Sequence, residues 1–221
     1  MKTFTELQEG VYDPNILKAF FMAGGPGSGK SYVVKRTTGG LGMKIVNSDV
    51  QFEKKLKDAG LSTDLRELDP TTRDTIRARA KEITKKQKAN YIEGRLGLII
   101  DGTGKDFDKI KNQSTRLKQL GYDVHMIFVN TSLDTALAQN AKRPRKLPDS
   151  MVTQLWIDVQ KNIGKFSQLF RRNFIVVDNN DAKEDVFGQV YKQVMSLAKS
   201  KVQNPMGQKW IANAIAMKRR M

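Results

Sequence analysis

Residues 24–31 read Gly-Gly-Pro-Gly-Ser-Gly-Lys-Ser and directly follow the apolar run Ala-Phe-Phe-Met-Ala at residues 19–23. They match the pattern G-x-x-x-x-G-K-[ST]. Glycines in this pattern permit positive φ angles, so successive backbone N–H groups can converge on a phosphate, and the following helix adds the positive end of its dipole. The stretch therefore predicts a strand, a phosphate-binding loop and a helix in succession. A glycine turn with a purely structural role is the alternative.

The polar side chains of this loop suit a nucleoside triphosphate, which we take to be ATP. Lys30 can reach the β and γ phosphates, and Ser31 can offer its hydroxyl to Mg²⁺, which bridges the same two phosphates. ATP and Mg²⁺ are thus the expected cofactors. The loop residues expected to contact the nucleotide are Gly25, Pro26, Gly27, Ser28, Gly29, Lys30 and Ser31.

Chain length, net charge and cysteine content limit the kinds of protein that this sequence can encode. The 221 residues suit one α/β domain with a single core, expected at about residues 16–180, with a basic helical extension from about 182 to 221. A net charge of +16 favours a polyanionic partner such as nucleic acid, although a merely basic surface is the alternative. The absence of cysteine excludes disulfides and thiolate metal sites. We expect a soluble cytoplasmic protein without a secretory signal or membrane span, in the host cytoplasm if a phage encodes it.

Apolar runs alternate with helical stretches along the chain. The expected strands are residues 19–23, 43–46, 96–100, 124–129 and 174–177, and the expected helices include residues 70–93, 106–120, 132–142, 149–170 and 182–199. Asp69 and Pro70 are typical of a helix start. This alternation predicts a parallel sheet covered by helices on both faces, with ligands at the carboxyl ends of the strands.

Two carboxylates follow expected strands. Asp49 comes after the second strand, where it could accept the proton of an attacking hydroxyl, or simply cap the next helix. Asp101 ends the third strand and is followed by Gly102 and Thr103; it could hold Mg²⁺ or orient the acceptor, or else form a turn. A basic bend, Lys-Arg-Pro-Arg-Lys-Leu-Pro at residues 142–148, is either a lid over the phosphates or a solvated loop.

The combined pattern resembles the P-loop kinases that include the zeta toxins and the kinase domain of phage polynucleotide kinase, over about residues 16–178. The resemblance implies a three-layer α/β fold whose five-stranded parallel sheet has the order 2-3-1-4-5. It implies that Asp49 deprotonates the acceptor and that Arg143, with Lys146 beside it, contacts the transferring phosphates. It also implies acceptor-side roles for Asp101 and Thr103. Lys30, Asp49 and Arg143 are then the expected catalytic residues.

One position departs from the resemblance. Polynucleotide kinase has an arginine three residues after the general base that grips a substrate phosphate, whereas this chain has Phe52. A basic stripe on the long helix could contact the acceptor instead, with Arg77 as the expected substrate-binding residue; an exposed helix face is the alternative. The stripe consists of Arg73, Arg77, Lys81, Lys85 and Lys88.

Aromatic residues add little to the choice of acceptor. Trp156 and Trp210 could stack on bases, although Trp156 suits a helix core better. His125 lies within an expected strand and is interpreted as structural. The leading hypothesis is an ATP-dependent kinase acting on a hydroxyl of nucleic acid, either a 5′-OH or a hydroxymethylated base of DNA, or on a nucleotide. The alternatives are a zeta-toxin-like kinase of a UDP-sugar or free nucleotide, and an ATP-gated nucleic-acid-binding module without turnover.

Overall fold

Five parallel strands form one sheet in the computed structural model, which describes residues 11–63, 68–143, 146–180 and 184–219. The strands are β1 (Lys18–Ala23), β2 (Lys44–Val46), β3 (Leu98–Asp101), β4 (Asp123–Asn130) and β5 (Phe174–Asp178). Their order across the sheet is β2-β3-β1-β4-β5, with every pairing parallel. The predicted α/β class and the predicted strand order are confirmed.

Helices cover both faces of this sheet. They are α1 (Lys30–Thr38), α2 (Ser48–Asp58), α3 (Pro70–Glu93), α4 (Phe107–Gln119), α5 (Leu133–Ala141), α6 (Asp149–Gln160), α7 (Ile163–Phe170), α8 (Glu184–Lys199) and α9 (Pro205–Lys218). Because successive strand side chains point to opposite faces, Phe20 and Met22 pack with α1 and α8, whereas Ala19 and Phe21 pack with α7. The architecture is therefore three-layered.

The long helix α3 begins where the sequence predicts. Asp69 is its N-cap and its carboxylate accepts a hydrogen bond from the N–H of Thr72 over 2.8 Å, while Pro70 occupies the first turn. This cap satisfies one of the N–H groups that a helix leaves without an intrahelical acceptor. The helix then packs mainly against α2, where Phe52, Leu56 and Ala80 form a small buried cluster.

The helix predicted over residues 149–170 is wrong in one respect, because the structure divides it into α6 and α7 at Lys161 and Asn162. The Asn162 side chain is buried and donates to the carbonyls of Gly104 and Lys105, over 3.1 and 2.9 Å. These two bonds tie the break to the loop after β3.

The C-terminal stretch is helical and basic, as expected, but it is also part of the core. Val190 and Val194 of α8 are buried against one face of the sheet, and Trp210 and Ile211 of α9 pack against the cluster on the other face. Both helices of this stretch therefore contribute apolar side chains to the core. The many lysines of this stretch made its apolar positions hard to recognise in the sequence.

Within the described parts of the chain, no helix has both the length and the apolarity that crossing a bilayer requires.

Candidate active site

The loop of residues 24–31 lies between β1 and α1 at the carboxyl edge of the sheet. Gly24, Gly27 and Gly29 have φ angles of 152°, 77° and 80°, which other residues rarely adopt. Gly29 caps α1 in the left-handed conformation without a side-chain hydrogen bond. The first N–H groups of a helix have no intrahelical acceptor, so this geometry directs them and the helix dipole toward a bound anion.

Neighbouring elements hold the loop on several sides. The N–H of Gly24 donates to the carbonyl of Thr103 over 2.9 Å, and the side chain of Asn179 donates to the carbonyl of Ser28 over 2.9 Å. A Cβ atom on Gly27 would lie 2.1 Å from the carbonyl oxygen of Ala136 in α5. The backbone of the loop is thus fixed by β3, β5 and α5 before any ligand binds.

Lys30 is the first residue of α1, and its Nζ donates to the carbonyl of Gly24 over 2.8 Å. Removal from water lowers the pKa of Lys30. Asp101 opposes this change, Arg143 adds to it, and Asp49 opposes it. Three of the charged residues predicted for the site, Asp49, Asp101 and Arg143, therefore act on Lys30 in the folded chain.

Asn47 links the two carboxylates of the site. Its Oδ1 accepts from the N–H of Asp49 over 2.7 Å and so caps α2, while its Nδ2 donates to Oδ2 of Asp101 over 2.7 Å. The carboxyl ends of β2 and β3 are adjacent, which explains how residues 54 positions apart meet. Asp49 lies two residues after the cap, and the cap uses its backbone N–H rather than its side chain.

The carboxylate of Asp101 has an unusual environment. Its Oδ1 is buried and has no hydrogen-bond partner among the described residues. Burial raises the pKa of Asp101; Lys30 opposes this, the charge of Asp49 adds to it, and the hydrogen bond from Asn47 opposes it. An unpartnered carboxylate oxygen in a phosphate site is a fitting ligand for a hard cation, directly or through water.

Arg77 of α3 reaches the same site. Its Nη1 donates to Oδ1 of Asp49 over 2.6 Å, and its guanidinium carbon lies 4.8 Å from the centroid of the Phe52 ring. Phe52 is fully buried between α2 and α3. The aromatic residue that departs from the polynucleotide kinase pattern therefore supports an arginine supplied by a different helix.

The basic bend begins at the end of α5. Arg143 is exposed but close enough to act on Lys30, and Lys146 is exposed. Pro144 and Arg145 lie outside the described residues. Asn140 holds the two ends of the bend together: its Nδ2 donates to the carbonyl of Leu147 over 2.8 Å and its Oδ1 accepts from the N–H of Leu147 over 3.2 Å.

The two tryptophans and the histidine make contacts within the chain. Trp156 donates from Nε1 to the carbonyl of Thr131 over 2.8 Å, and Trp210 packs against the core with the Arg95 guanidinium 5.8 Å from its ring. Both indoles are therefore engaged within the chain. His125 is buried in β4 and stacks on Phe20, which lies opposite it in β1.

Sequence reasoning missed three amides that shape the site: Asn140, Asn162 and Asn179. Asn179 could have been noticed, because it directly follows β5 and so lies at the carboxyl edge of the sheet. Asn140 and Asn162 carry no comparable signal, since the partner of Asn140 is Leu147 across the basic bend and the partners of Asn162 follow β3. Contacts of this kind become visible only in the folded chain.

The parallel sheet and the glycine-rich loop with its lysine define a P-loop protein of the kinase-like architecture. The family model for zeta toxin matches residues 6–190. The chain belongs to the zeta toxin family. No curated protein matches the sequence.

Solved structures agree with this fold. A putative kinase from Chloroflexus aurantiacus J-10-fl has a TM-score of 0.55 and 15% identity, over 81% of this chain and 97% of that chain. The Pnkp1/Rnl/Hen1 RNA repair complex has a TM-score of 0.53 and 18% identity, over 69% of this chain and 47% of that chain. The complex of AvrRxo1-ORF1 and AvrRxo1-ORF2 with ATP has a TM-score of 0.57 and 13% identity, over 86% and 68%. At these identities the likeness establishes the fold, and family and fold together support a phosphotransferase.

Proposed function

We propose that the protein is an ATP-dependent kinase that transfers the γ-phosphoryl group to a hydroxyl of nucleic acid. The observation that carries the proposal is the meeting of Lys30, Asp49, Asp101 and Arg143 beside one phosphate loop. A carboxylate beside the γ phosphate can accept the proton of an attacking hydroxyl, as the catalytic-loop aspartate of protein kinases does. The structural neighbour solved with ATP supports ATP as the donor.

The phosphates of ATP would bind along the loop of residues 24–31. Backbone N–H groups of the loop and the first turn of α1 donate to the β phosphate, and Lys30 exchanges its bond with the Gly24 carbonyl for bonds to the β and γ phosphates. Arg143 approaches the γ phosphate from the basic bend. Its charge stabilises the negative charge that the transferring group carries in the transition state.

The residues present fit Mg²⁺. The hydroxyl of Ser31 in the first turn of α1 and the buried Oδ1 of Asp101 would hold it, with water completing the shell that this ion usually keeps. When bound, the ion would neutralise charge between the β and γ phosphates.

Asp49 is the proposed general base. It takes the proton of the acceptor hydroxyl as the oxygen attacks the γ phosphorus; the new P–O bond forms while the bond to the β–γ bridging oxygen breaks, and ADP leaves with that electron pair. Arg77 orients the Asp49 carboxylate through its 2.6 Å bond and offers its remaining N–H groups to the acceptor. Thr103, whose carbonyl holds Gly24, lies on the acceptor side with Asp101.

The surface favours a nucleic-acid acceptor. The chain carries 39 lysines and arginines against 23 acidic residues, and part of this excess lies on α3, the helix that brings Arg77 to the site. The second candidate acceptor is a UDP-sugar or a free nucleotide, which the match to the zeta toxin model over residues 6–190 favours.

Transfer of label from γ-labelled ATP tests the acceptor. A 5′-hydroxyl oligonucleotide, hydroxymethylated DNA, nucleosides and UDP-sugars are incubated with the protein in parallel, and we expect label on nucleic acid. Label on the UDP-sugar alone would refute the nucleic-acid acceptor. No label on any acceptor, with ATP binding intact, would instead indicate a binding module without turnover.

Substitutions test the assignment of roles. Asp49→Asn should abolish transfer and retain ATP binding, since the amide cannot take the proton, and Lys30→Ala should lose both. Asp58→Asn is the matched control, because Asp58 is an exposed carboxylate at the far end of the same helix. Full activity of Asp49→Asn would reject Asp49 as the base.

A further inference from the structure

Lys88 lies half-buried between α3 and α4, more than two turns of helix away from the proposed active site. Its Nζ donates to Oε1 of Gln113 in α4 over 3.0 Å. Burial of a lysine is unfavourable unless its charge is compensated, because the ammonium group loses hydration. The charged and polar groups around Lys88 therefore indicate whether its charge has a partner.

The charges that act most strongly on Lys88 are positive. Burial is the largest cause that lowers the pKa of Lys88, to about 8, and the charges of Lys109 and Arg116 lower it further. Lys109, Gln113 and Arg116 are spaced by four and three residues on α4, so they share the face that meets Lys88. Three cations and an amide thus lie on the facing sides of two helices, an arrangement that a bound anion would stabilise.

The position of this cluster relative to Arg77 indicates the size of the ligand. Arg77 and Lys88 are eleven residues apart on α3, which is about three helical turns and roughly 16 Å. Eleven residues also return to nearly the same face of a helix, so both side chains lie along one line. That line starts at Asp49, where the acceptor hydroxyl is proposed to bind.

We propose that Lys88, Lys109 and Arg116 form a second anion site that binds a backbone phosphate of the nucleic-acid acceptor, at a distance from the end that is phosphorylated. The inference rests on the proposed function and extends it to a polymer. At about 3.4 Å per nucleotide of a helical strand, roughly 16 Å corresponds to about five nucleotides. A free nucleotide or a UDP-sugar cannot occupy both Arg77 and this cluster.

Binding measured without ATP tests this site independently of catalysis. The affinity of a fluorescein-labelled single strand of about twelve nucleotides is determined by anisotropy over a series of salt concentrations, beside a labelled dinucleotide. We expect Lys88→Gln and Arg116→Gln each to weaken binding of the long strand about tenfold and to reduce its log–log salt slope by about one. The dinucleotide should bind equally to all variants.

The matched control is Lys111→Gln, since Lys111 is an exposed lysine on the opposite side of α4. It removes the same charge, so an effect of net charge alone would appear in all three variants. Arg116 is exposed, which keeps the test open if Lys88→Gln unfolds; thermal unfolding checks each variant.

The outcomes separate this site from the proposed function. Equal affinities and salt slopes in Lys88→Gln, Arg116→Gln and Lys111→Gln would overturn the second anion site, as would a wild-type protein that does not bind the long strand. If the variants weaken binding as expected but no oligonucleotide is ever phosphorylated, the anion site stands and the kinase acceptor is wrong.

Discussion

Arg77 and Asp49 form a 2.6 Å ion pair between α3 and α2, and the arginine rests on the ring of Phe52 one helical turn after Asp49. The cation–π contact with the ring favours one position of the guanidinium, and its hydrogen bond in turn orients the carboxylate. Phe52 therefore has a structural task in the site. Its ring lies against the guanidinium of Arg77, which belongs to α3.

Replacing Arg77 should reduce the rate of transfer more than it reduces the binding of ATP. We expect Arg77→Met to lower kcat/KM for the acceptor by about 10²-fold, because a poorly oriented base loses much of the advantage of positioning. Arg77→Lys should recover only part of this loss, since an ammonium group neither stacks nor binds bidentately. Steady-state kinetics and ATP titration measure both quantities.

Arg79→Met is the control for the loss of charge, because Arg79 is exposed on the same helix. Phe52→Leu should retain the ion pair but lower the rate by a smaller factor than Arg77→Met. A wild-type rate in Arg77→Met would show that the ion pair does not serve catalysis.

Gly27 and Gly40 provide a matched test of the phosphate loop. Both have positive φ angles, 77° and 75°, but a Cβ on Gly27 would lie 2.1 Å from a backbone oxygen, whereas a Cβ on Gly40 would have nothing within 4 Å. Gly40→Ala should therefore cost only the conformational strain, about 1–2 kcal/mol. Gly27→Ala should cost more and should lose ATP binding as well, since α5 and the loop must move apart.

Chemical denaturation and ATP titration of the two variants check this expectation. If Gly27→Ala binds ATP as Gly40→Ala does, the close packing of the loop against Ala136 is unimportant for the nucleotide.

Features with a local cause could be predicted from the sequence. The loop of residues 24–31 needs glycines where the backbone is left-handed, and the start of α3 is favoured by a capping residue and a proline. Both features therefore depend on residues that are adjacent in the sequence. The strand order required more, namely the resemblance to P-loop kinases, because periodicity does not say which strands are neighbours. In that order the second and third strands are neighbours, so it predicts that Asp49 and Asp101, which lie at their carboxyl ends, are close together.

Features with a non-local cause could not be predicted. The bond between Lys88 and Gln113 depends on how α3 and α4 pack, and the contact of Arg77 with Phe52 depends on how α3 packs on α2. The bond that Asn162 makes at the break between α6 and α7 depends on the position of the loop after β3. In each case the contacting residue is distant in the sequence, and the pattern of a single sequence does not indicate which distant residues meet.

His125 should make the stability of the fold sensitive to acid. Its two ring nitrogens are buried without hydrogen-bond partners in the part of the chain that the structure describes. Burial lowers the pKa of His125 to about 4, with Lys18 adding to this and Asp123 opposing it. The unfolded chain, with a histidine pKa of about 6.5, therefore binds more protons between these values, and the free energy of unfolding falls as the pH falls from about 6.5 to about 4.

The contribution of His125 over this range should be about 3 kcal/mol, and it vanishes above about pH 6.5, where the ring is neutral in both states. Urea unfolding of wild type and His125→Phe at several pH values isolates the contribution of His125. The carboxylates titrate in both proteins, so their effect cancels in the difference between the two free energies of unfolding. Parallel curves for the two proteins across this range would contradict the expectation.

Lys18 and Asp123 should be the most sensitive ion pair in the part of the fold that the structure describes. They lie 2.8 Å apart at the amino ends of β1 and β4, and their side chains are 1% and 9% exposed. Asp123 also accepts from the N–H groups of Gln203 and Asn204, so the pair joins the sheet to the segment between α8 and α9. Lys18→Met would leave a buried carboxylate without its cation, at a cost of about 3–5 kcal/mol.

The exposed pair Lys55 and Asp58, 3.5 Å apart on α2, gives the comparison. Lys55→Met should change the free energy of unfolding by less than about 1 kcal/mol, because water already solvates both charges. Urea unfolding of both variants measures the difference. Since the buried pair anchors the start of α9, Lys18→Met should also expose the backbone amides of residues 203 and 204 to hydrogen exchange, and unchanged exchange there would show that α9 is held by its apolar contacts alone.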